Sequence, residues 1–236
     1  MDIAFPNETP AYREARDRLL DQEIALRSQM EAVAAERRAL PAGGAVPRDY
    51  VFEGLDRDGR PAPIRLSELF REGNDTLVIY NYMFPRSPEA AQPCPGCTGL
   101  LDQLDGAALH YQASGGSLAV IGQAPLDQLL AVARDRCWRH LRLLSSAGNS
   151  FKRDYHAQDA DGQASPLITV FRRGPDGTIR LFWASEMLFA PIDPGQDHRA
   201  AGTLEPLWNL FDLGPNGRPS FDEQLSYDDC ACAVLR

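Results

Sequence analysis

The sequence predicts an α/β chain: a central mixed sheet flanked by helices, with an N-terminal helical extension and a C-terminal tail. Three observations carry this. The run Thr76-Leu77-Val78-Ile79-Tyr80 is β-branched and aromatic, strand and helix patterns alternate after it, and a hairpin pattern closes the alternation near residue 183. At 236 residues, the length suits one decorated domain. The expected organisation is an amphipathic helical extension over 1–45, the α/β domain over 46–214 and the tail over 215–236.

The extension begins with Thr9 as N-cap and Pro10 at the first helical position, where a missing amide costs nothing. Apolar residues from Tyr12 to Ala34 form a loose helical stripe ending at Pro41-Ala42-Gly43-Gly44. The stripe suits a helix laid on a domain surface, with dimerisation of two chains as the second reading. Tyr50-Val51-Phe52 and Ile64-Arg65-Leu66 flank Asp56-Arg57-Asp58-Gly59, a hairpin signal, and Ser67 introduces a short helical turn.

The strand from Thr76, extending to Phe84, is expected centrally in the sheet. A proline-bearing loop, Pro85 to Pro93, leads to Cys94-Pro95-Gly96-Cys97, and Leu100, Leu101, Leu104, Ala108 and Tyr111 then follow at helical spacing. Further on come a strand at Leu118 to Ile121, a helix at Leu126 to Trp138 and a strand at Leu141 to Leu144. A hairpin pairs Pro166 to Phe171 with Ile179 to Trp183, and a last helix spans Leu204 to Phe211. The polar, turn-rich residues beyond Gly214 read as a loosely attached extension.

Composition removes several function classes. Hydrophobic residues at 44% and charged residues at 24% are ordinary for a soluble globular chain. The net charge of −9 sets up a field that repels phosphate backbones and anionic lipid, so neither nucleic acid nor membrane is an expected partner. With no long apolar stretch and no basic leader before an apolar run, the expected location is cytoplasmic. Lys152 is the only lysine, which argues against lysine-centred catalysis. No phosphate-cradling glycine loop, serine-nucleophile motif or HExxH pattern occurs, and no cofactor is expected.

Cysteine is where the chemistry points. Five cysteines, an odd number, argue against a disulfide framework and for catalytic, metal-binding or buried thiols. Where CxxC opens a helix after a strand, free amides and the positive dipole end favour the thiolate of the first cysteine. Cys94 is thus the candidate nucleophile, and Cys97, one turn on, the candidate resolving thiol, acting on protein or small-molecule disulfides. Pro95 suits the first helical turn, Gly96 leaves the backbone open to a substrate chain, and Ser165-Pro166, just before a strong strand, is the candidate for lining the groove opposite the sulfur.

Other arrangements compete with this one. Cys137-Trp138-Arg139-His140 offers a second half-site for zinc, giving a redox-inert or zinc-stabilised binding protein as the alternative. A thiol peroxidase is a further alternative, weakened because position 91, three residues before Cys94, is Ala91 rather than Ser or Thr. Cys230-Ala231-Cys232 reads as a terminal pair or an electron relay. His110, His156 and His198 stand without partners in the sequence and read as surface residues.

Several segments together resemble DUF899, a bacterial family regarded as dithiol-disulfide oxidoreductases of thioredoxin-like fold. They are Ala35 to Pro41, Asp49 to Phe52, Ser67 to Phe70, Tyr80 to Phe84, Cys94 to Cys97, Ala124 to Leu126, Ser145-Ser146 and the strand ending Val170-Phe171. The resemblance implies the fold, a redox chemistry and a cis Ser165-Pro166 bond beside the reactive sulfur. This chain departs from the family pattern in having Pro95-Gly96 between its cysteines, without serine, and Thr98-Gly99 after them.

Overall fold

The computed structural model describes residues 5–196, 199 and 204–226. The chain separates into two compact units, Met1–Ala42 and Gly43–Arg236.

The first unit holds helix α1 (Pro10–Arg38). Thr9 caps it by accepting the Tyr12 N–H at 3.2 Å, and Arg37 and Arg38 lie in the last turn, where the dipole favours cations. Pairs one turn apart, Arg13–Asp17 and Arg18–Glu14, add a few tenths of a kcal/mol each. None of its residues is buried, the apolar stripe of Leu19, Leu26, Met30 and Val33 included.

In the second unit, β1 (Val51–Leu55) and β2 (Pro61–Arg65) form the expected antiparallel hairpin. Its turn is held by Asp56, whose carboxylate accepts the N–H groups of Asp58 and Arg60 at 2.9 Å. Gly59 supplies the positive φ of 75°. After a 3₁₀ turn (Leu66–Leu69) come β3 (Thr76–Asn81), α2 (Pro95–Ala113), β4 (Ser117–Gly122), α3 (Leu126–Asp135), β5 (Leu143–Ser145), the single turn α4 (Phe151–Asp154), the hairpin β6 (Ile168–Arg173) and β7 (Ile179–Ala184), and α5 (Pro206–Leu213).

One seven-stranded sheet runs in the order β2-β1-β5-β4-β3-β6-β7. Strand β3 pairs parallel with β4 and antiparallel with β6, while β4 also pairs parallel with β5. The parallel β3-α2-β4 unit, followed by the β6-β7 hairpin and α5, is the thioredoxin-like arrangement, and β1, β2 and β5 widen it. The middle place belongs to β4, all six residues of which are buried, with β3 beside it.

Because side chains alternate across a strand, the sheet has two cores. Leu77, Ile79, Ala119, Ile121, Leu144 and Phe171 face one, with Tyr50, Phe52 and Phe151. Tyr80, Val120, Leu143 and Ile168 face the other, with Leu100, Leu101 and Leu129 from α2 and α3. Both sulfurs of the CxxC pair belong to this second core, Cys97 within it and Cys94 packed against it.

Some boundaries differ from expectation for local reasons. Strand β6 starts at Ile168 rather than Pro166, because the Leu167 N–H turns back to the Ser165 carbonyl at 2.9 Å and takes Pro166 out of the ladder. Helix α3 ends at Asp135, before Cys137, which has a φ of 59°. The turns Phe151–Asp154 and Glu186–Phe189 are too short to show a periodic pattern. Beyond Gly214, residues 215–226 are not loose: Phe221 packs on Trp208 and Phe211, and the Leu225 carbonyl accepts from Arg136 Nη1 at 2.7 Å. Among the described residues no helix is long and apolar enough to cross a membrane.

Phe151 anchors the first core, with ring centroids 5.3 Å from Tyr50, 5.3 Å from Phe52 and 5.0 Å from Tyr155. Phe151→Ala is expected to lower unfolding stability by about 3–5 kcal/mol, the range for buried aromatics. Denaturant unfolding with an unchanged m-value checks this, and a loss under about 1 kcal/mol contradicts it.

Candidate active site

The second core reaches the surface where β3 ends. Its chain continues through Tyr82 and Met83, and the Met83 carbonyl accepts the Cys94 N–H at 3.0 Å. Cys94 is the N-cap of α2 and Pro95 its first residue, as the sequence predicts. The Cys94 carbonyl then takes two bonds from Thr98, the first helical one from its N–H at 3.0 Å and one from Oγ1 at 2.8 Å. Since the Thr98 hydroxyl hydrogen is spent there, the 2.8 Å contact with Tyr82 has the tyrosine O–H donating. Tyr82 and Thr98 are fully buried, so the helix start is fastened from beneath by groups that water cannot reach.

The two sulfurs occupy unequal places. Cys94 is half-buried and Cys97 is buried, and both are free thiols. The Cys97 thiol donates to the Cys94 sulfur, which with the N–H groups of Cys97 and Gly96 and the charge of Arg86 brings Cys94 down to about 6 against the cost of burial. Those N–H groups act as dipoles rather than as a strict capping bond. The same hydrogen bond to the Cys94 sulfur, burial and the negative charge of Cys94 push Cys97 up, opposed by donors from the Tyr80 hydroxyl and the Met83 N–H. Burial pushes Tyr80 up in turn and keeps it a donor. One proton is thus shared unequally, and the more accessible sulfur carries the negative charge.

The space over Gly96 is not open to a substrate chain as the sequence suggests. Glu223, from the C-terminal segment, lies against the first turns of α2: a methyl placed on Gly96 would stand 3.0 Å from its Oε2, and one on Gly99 2.5 Å from its Oε1. Burial, the neighbouring Glu205, the Cys94 sulfur and Asp102 raise this carboxyl to about 7. Arg136 holds the segment in place, bonding both Asp102 on α2 and the Leu225 carbonyl.

Ser165 and Pro166 come to the same end of the sheet, since Asn81 donates to the Leu167 carbonyl through its backbone N–H at 2.9 Å and its side chain at 2.8 Å. Their peptide bond is not cis. The cis bond among the described residues is Phe84–Pro85, while the Ser165 N–H donates to the Ala157 carbonyl and the Leu167 N–H to the Ser165 carbonyl, each at 2.9 Å. Cys137 is exposed at the end of α3, and among the described residues no three His, Cys, Asp or Glu groups gather to hold a metal ion. The zinc arrangement through Cys137 and His140 is therefore not formed. His198, Cys230 and Cys232 lie outside the described residues.

The sequence reading missed Tyr80, Tyr82, Thr98, Arg86 and Glu223. Thr98 carries a weak signal, a hydroxyl four residues after an N-cap. Glu223 carries none, being 126 residues beyond Cys97 in a segment without periodic pattern.

The family described as "Bacterial protein of unknown function (DUF899)" matches residues 4–229. The chain belongs to DUF899. Curated proteins include no match to it. Among solved structures, this DUF899 chain is similar to peroxidoxin BcpB from Mycobacterium tuberculosis, at 19% identity over 71% of this chain and 95% of that one, with a TM-score of 0.45. The mitochondrial 2-Cys peroxiredoxin from Plasmodium falciparum gives 13% identity over 77% and 100%, with a TM-score of 0.46. AhpC from Enterococcus faecalis gives 14% over 75% and 97%, with a TM-score of 0.45. Such low scores give these likenesses no weight for DUF899 chemistry, and the fold rests on the strand order above.

A carboxyl whose pKa is raised on folding makes the folded state bind the extra proton, so stability falls as pH rises from the ordinary glutamate range, about 4, through about 7. Glu223→Gln removes that loss. Thermal midpoints of the two proteins should converge at about pH 4 and separate in favour of the variant by pH 8. Because the Cys94 sulfur is coupled to Glu223, the pair of proteins is compared in a Cys94→Ser background as well; a constant difference across this range in both backgrounds contradicts the assignment.

Proposed function

We propose that the protein is a thiol-disulfide oxidoreductase working on protein or small-molecule disulfides through Cys94 and Cys97. The Cys94 thiolate attacks one sulfur of a substrate disulfide, forming a mixed disulfide and expelling the other sulfur as a thiolate that takes up a proton. Cys97 then loses its proton and attacks the Cys94 sulfur, closing the Cys94–Cys97 disulfide and releasing the second substrate thiol. Two electrons pass to the substrate, and an external thiol returns the pair to the reduced form.

The observation that carries this is the asymmetry of the pair: an accessible sulfur lowered to about 6 beside a buried, protonated one at a helix start. An attacking thiol works best with a pKa near ambient pH, and a resolving thiol has to stay protonated until the mixed disulfide forms. Ser165 and Pro166, at the same end of the sheet, line the groove beside Pro95 in this proposal, and a substrate chain reaches Gly96 only if Glu223 moves aside. A cytoplasmic setting, where thiol pools keep such a pair reduced, suits the chemistry.

Thiolate absorbance of the reduced protein should titrate near 6, and Cys94→Ser should remove that transition along with exchange against a model disulfide. Cys97→Ser should retain attack and accumulate a mixed disulfide detectable by mass. A Cys94 titration near ~8.5, the value of an unactivated thiol, or equal activity in both variants, would overturn the proposal.

A further inference from the structure

One face of α2 is covered by the end of the chain. Gly96, Gly99 and Gln103 follow one another down that face at helical spacing, with Asp102 at its edge. Gln103 fixes α5, its Oε1 accepting the Leu207 N–H at 2.7 Å while its Nε2 donates to the Gly99 carbonyl at 2.8 Å. After α5 the chain turns back through Gly217, with a φ of 61°. Arg218 then binds both carboxylate oxygens of Asp212 at 2.8 Å and lies over the Trp208 ring.

The returning segment, Arg218 to Leu225, is fastened at its two ends. Phe221 packs on Trp208 and Phe211 of α5, with ring centroids 6.4 and 6.0 Å away. The Leu225 carbonyl accepts from Nη1 of Arg136 at 2.7 Å, and Nε of the same arginine donates to Asp102 at 3.0 Å. Between these points Glu223 lies against the two glycines, where a methyl on Gly99 would stand 2.5 Å from its Oε1 and 3.1 Å from its Cδ. Among the described residues no hydrogen bond or ion pair holds that carboxyl, so its neighbours keep it over the helix head. Gly96 and Gly99 are covered in this way, while the Cys94 sulfur beside them stays half-buried.

Building on the exchange reaction proposed above, we propose that Arg218 to Leu225 is a selectivity strap: seated across α2, it admits small disulfides to Cys94 and keeps polypeptide chains out. A small disulfide needs only the opening over the sulfur. A polypeptide carries residues on each side of its disulfide, and these need the space along Gly96 and Gly99 that Glu223 fills. Such a chain reacts only with molecules whose strap has lifted, and its rate scales with their fraction. The fastenings suit lifting, because an aromatic cluster and a single hydrogen bond to a carbonyl each contribute little on their own. The exchange at Cys94 is itself unchanged: the strap decides which disulfide arrives and forms no bond with it.

Gly99→Ala tests this in the full chain. Its methyl has no room beside the Glu223 carboxyl, and alanine is the better helix former, so α2 stays while the strap lifts. Arg136→Ala cuts the fastening at Leu225 instead. In a Cys97→Ser background, mixed-disulfide formation at Cys94 is followed by mass with 2-hydroxyethyl disulfide, which is small and neutral, and with insulin. The insulin rate divided by the small-disulfide rate, a ratio from which the thiolate fraction cancels, should rise roughly tenfold in each variant, the upper end for one lost hydrogen bond. A ratio unchanged or lowered in Gly99→Ala, or in a folded Arg136→Ala, would overturn the proposal. Exchange of Cys94 with neither disulfide would sink the oxidoreductase assignment instead, and alkylation then decides the strap. Labelling of Cys94 by a polyethylene-glycol maleimide relative to N-ethylmaleimide should rise in the same variants, and a ratio equal to that of the parent protein would overturn the strap.

Discussion

The hydrogen bond from the Cys94 N–H to the Met83 carbonyl joins the end of a buried strand to the start of a helix, and the chemistry of the site follows from where that junction lies. Strand β3 is held on both sides, by β4 in parallel and by β6 antiparallel, so the residues leaving it have little freedom. Met83 uses both of its backbone groups on the cysteines, its carbonyl for the Cys94 N–H and its N–H toward the Cys97 sulfur. A sheet that fixes Met83 thereby fixes which sulfur faces outward and which is enclosed.

That geometric asymmetry becomes a chemical one through a single shared proton. In a dielectric lower than water, two adjacent thiols do not ionise independently, and the pair titrates as a unit. The hydrogen bond from Cys97, helix amides and Arg86 favour charge on Cys94, while enclosure among the apolar residues of α2 disfavours it on Cys97 against the donor of Tyr80. Glu223 works against the same anion from outside. Its carboxyl is raised in part by Cys94, so a negative sulfur and a negative carboxylate compete for one small region at the head of α2. Gly96 and Gly99 are what let the carboxyl approach so closely, since a side chain on either would meet its oxygens.

Much of this was legible in the sequence because the informative residues are close together or periodic. Thr76 to Tyr80 announced a strand, and Leu100, Leu101 and Leu104 after Cys97 announced the helix that the cysteines open. What stayed hidden depends on partners remote in the chain. Asn81 and Leu167 are joined by hydrogen bonds across 86 residues, and no local pattern shows that this junction is completed with a trans Ser165–Pro166 bond. Phe221 and Leu225 are single apolar residues in a polar stretch, too few for a period, yet they fasten the tail to α5 and to Arg136. Lys152 misled for a different reason: composition marked it as rare, and rarity alone does not say whether a cation is on the surface or inside.

The choice of lysine at that position has a physical logic which the rest of the composition sharpens. Every other basic residue among the 24 is arginine, whose guanidinium stays charged at any pH a protein meets. Surface ion pairs such as Arg172 with Asp75 or Arg218 with Asp212 need only permanent charge, and arginine supplies it with a fork of donors that fits a carboxylate. At the buried place of Lys152 a permanent charge without a carboxylate is costly in every state of the protein. An amine escapes that cost by giving up its proton, and it recovers the charge when an anion forms beside it. A chain whose other Lys and Arg positions are all arginine thus keeps its one lysine at the buried place, where a side chain unable to change its protonation would be costly throughout.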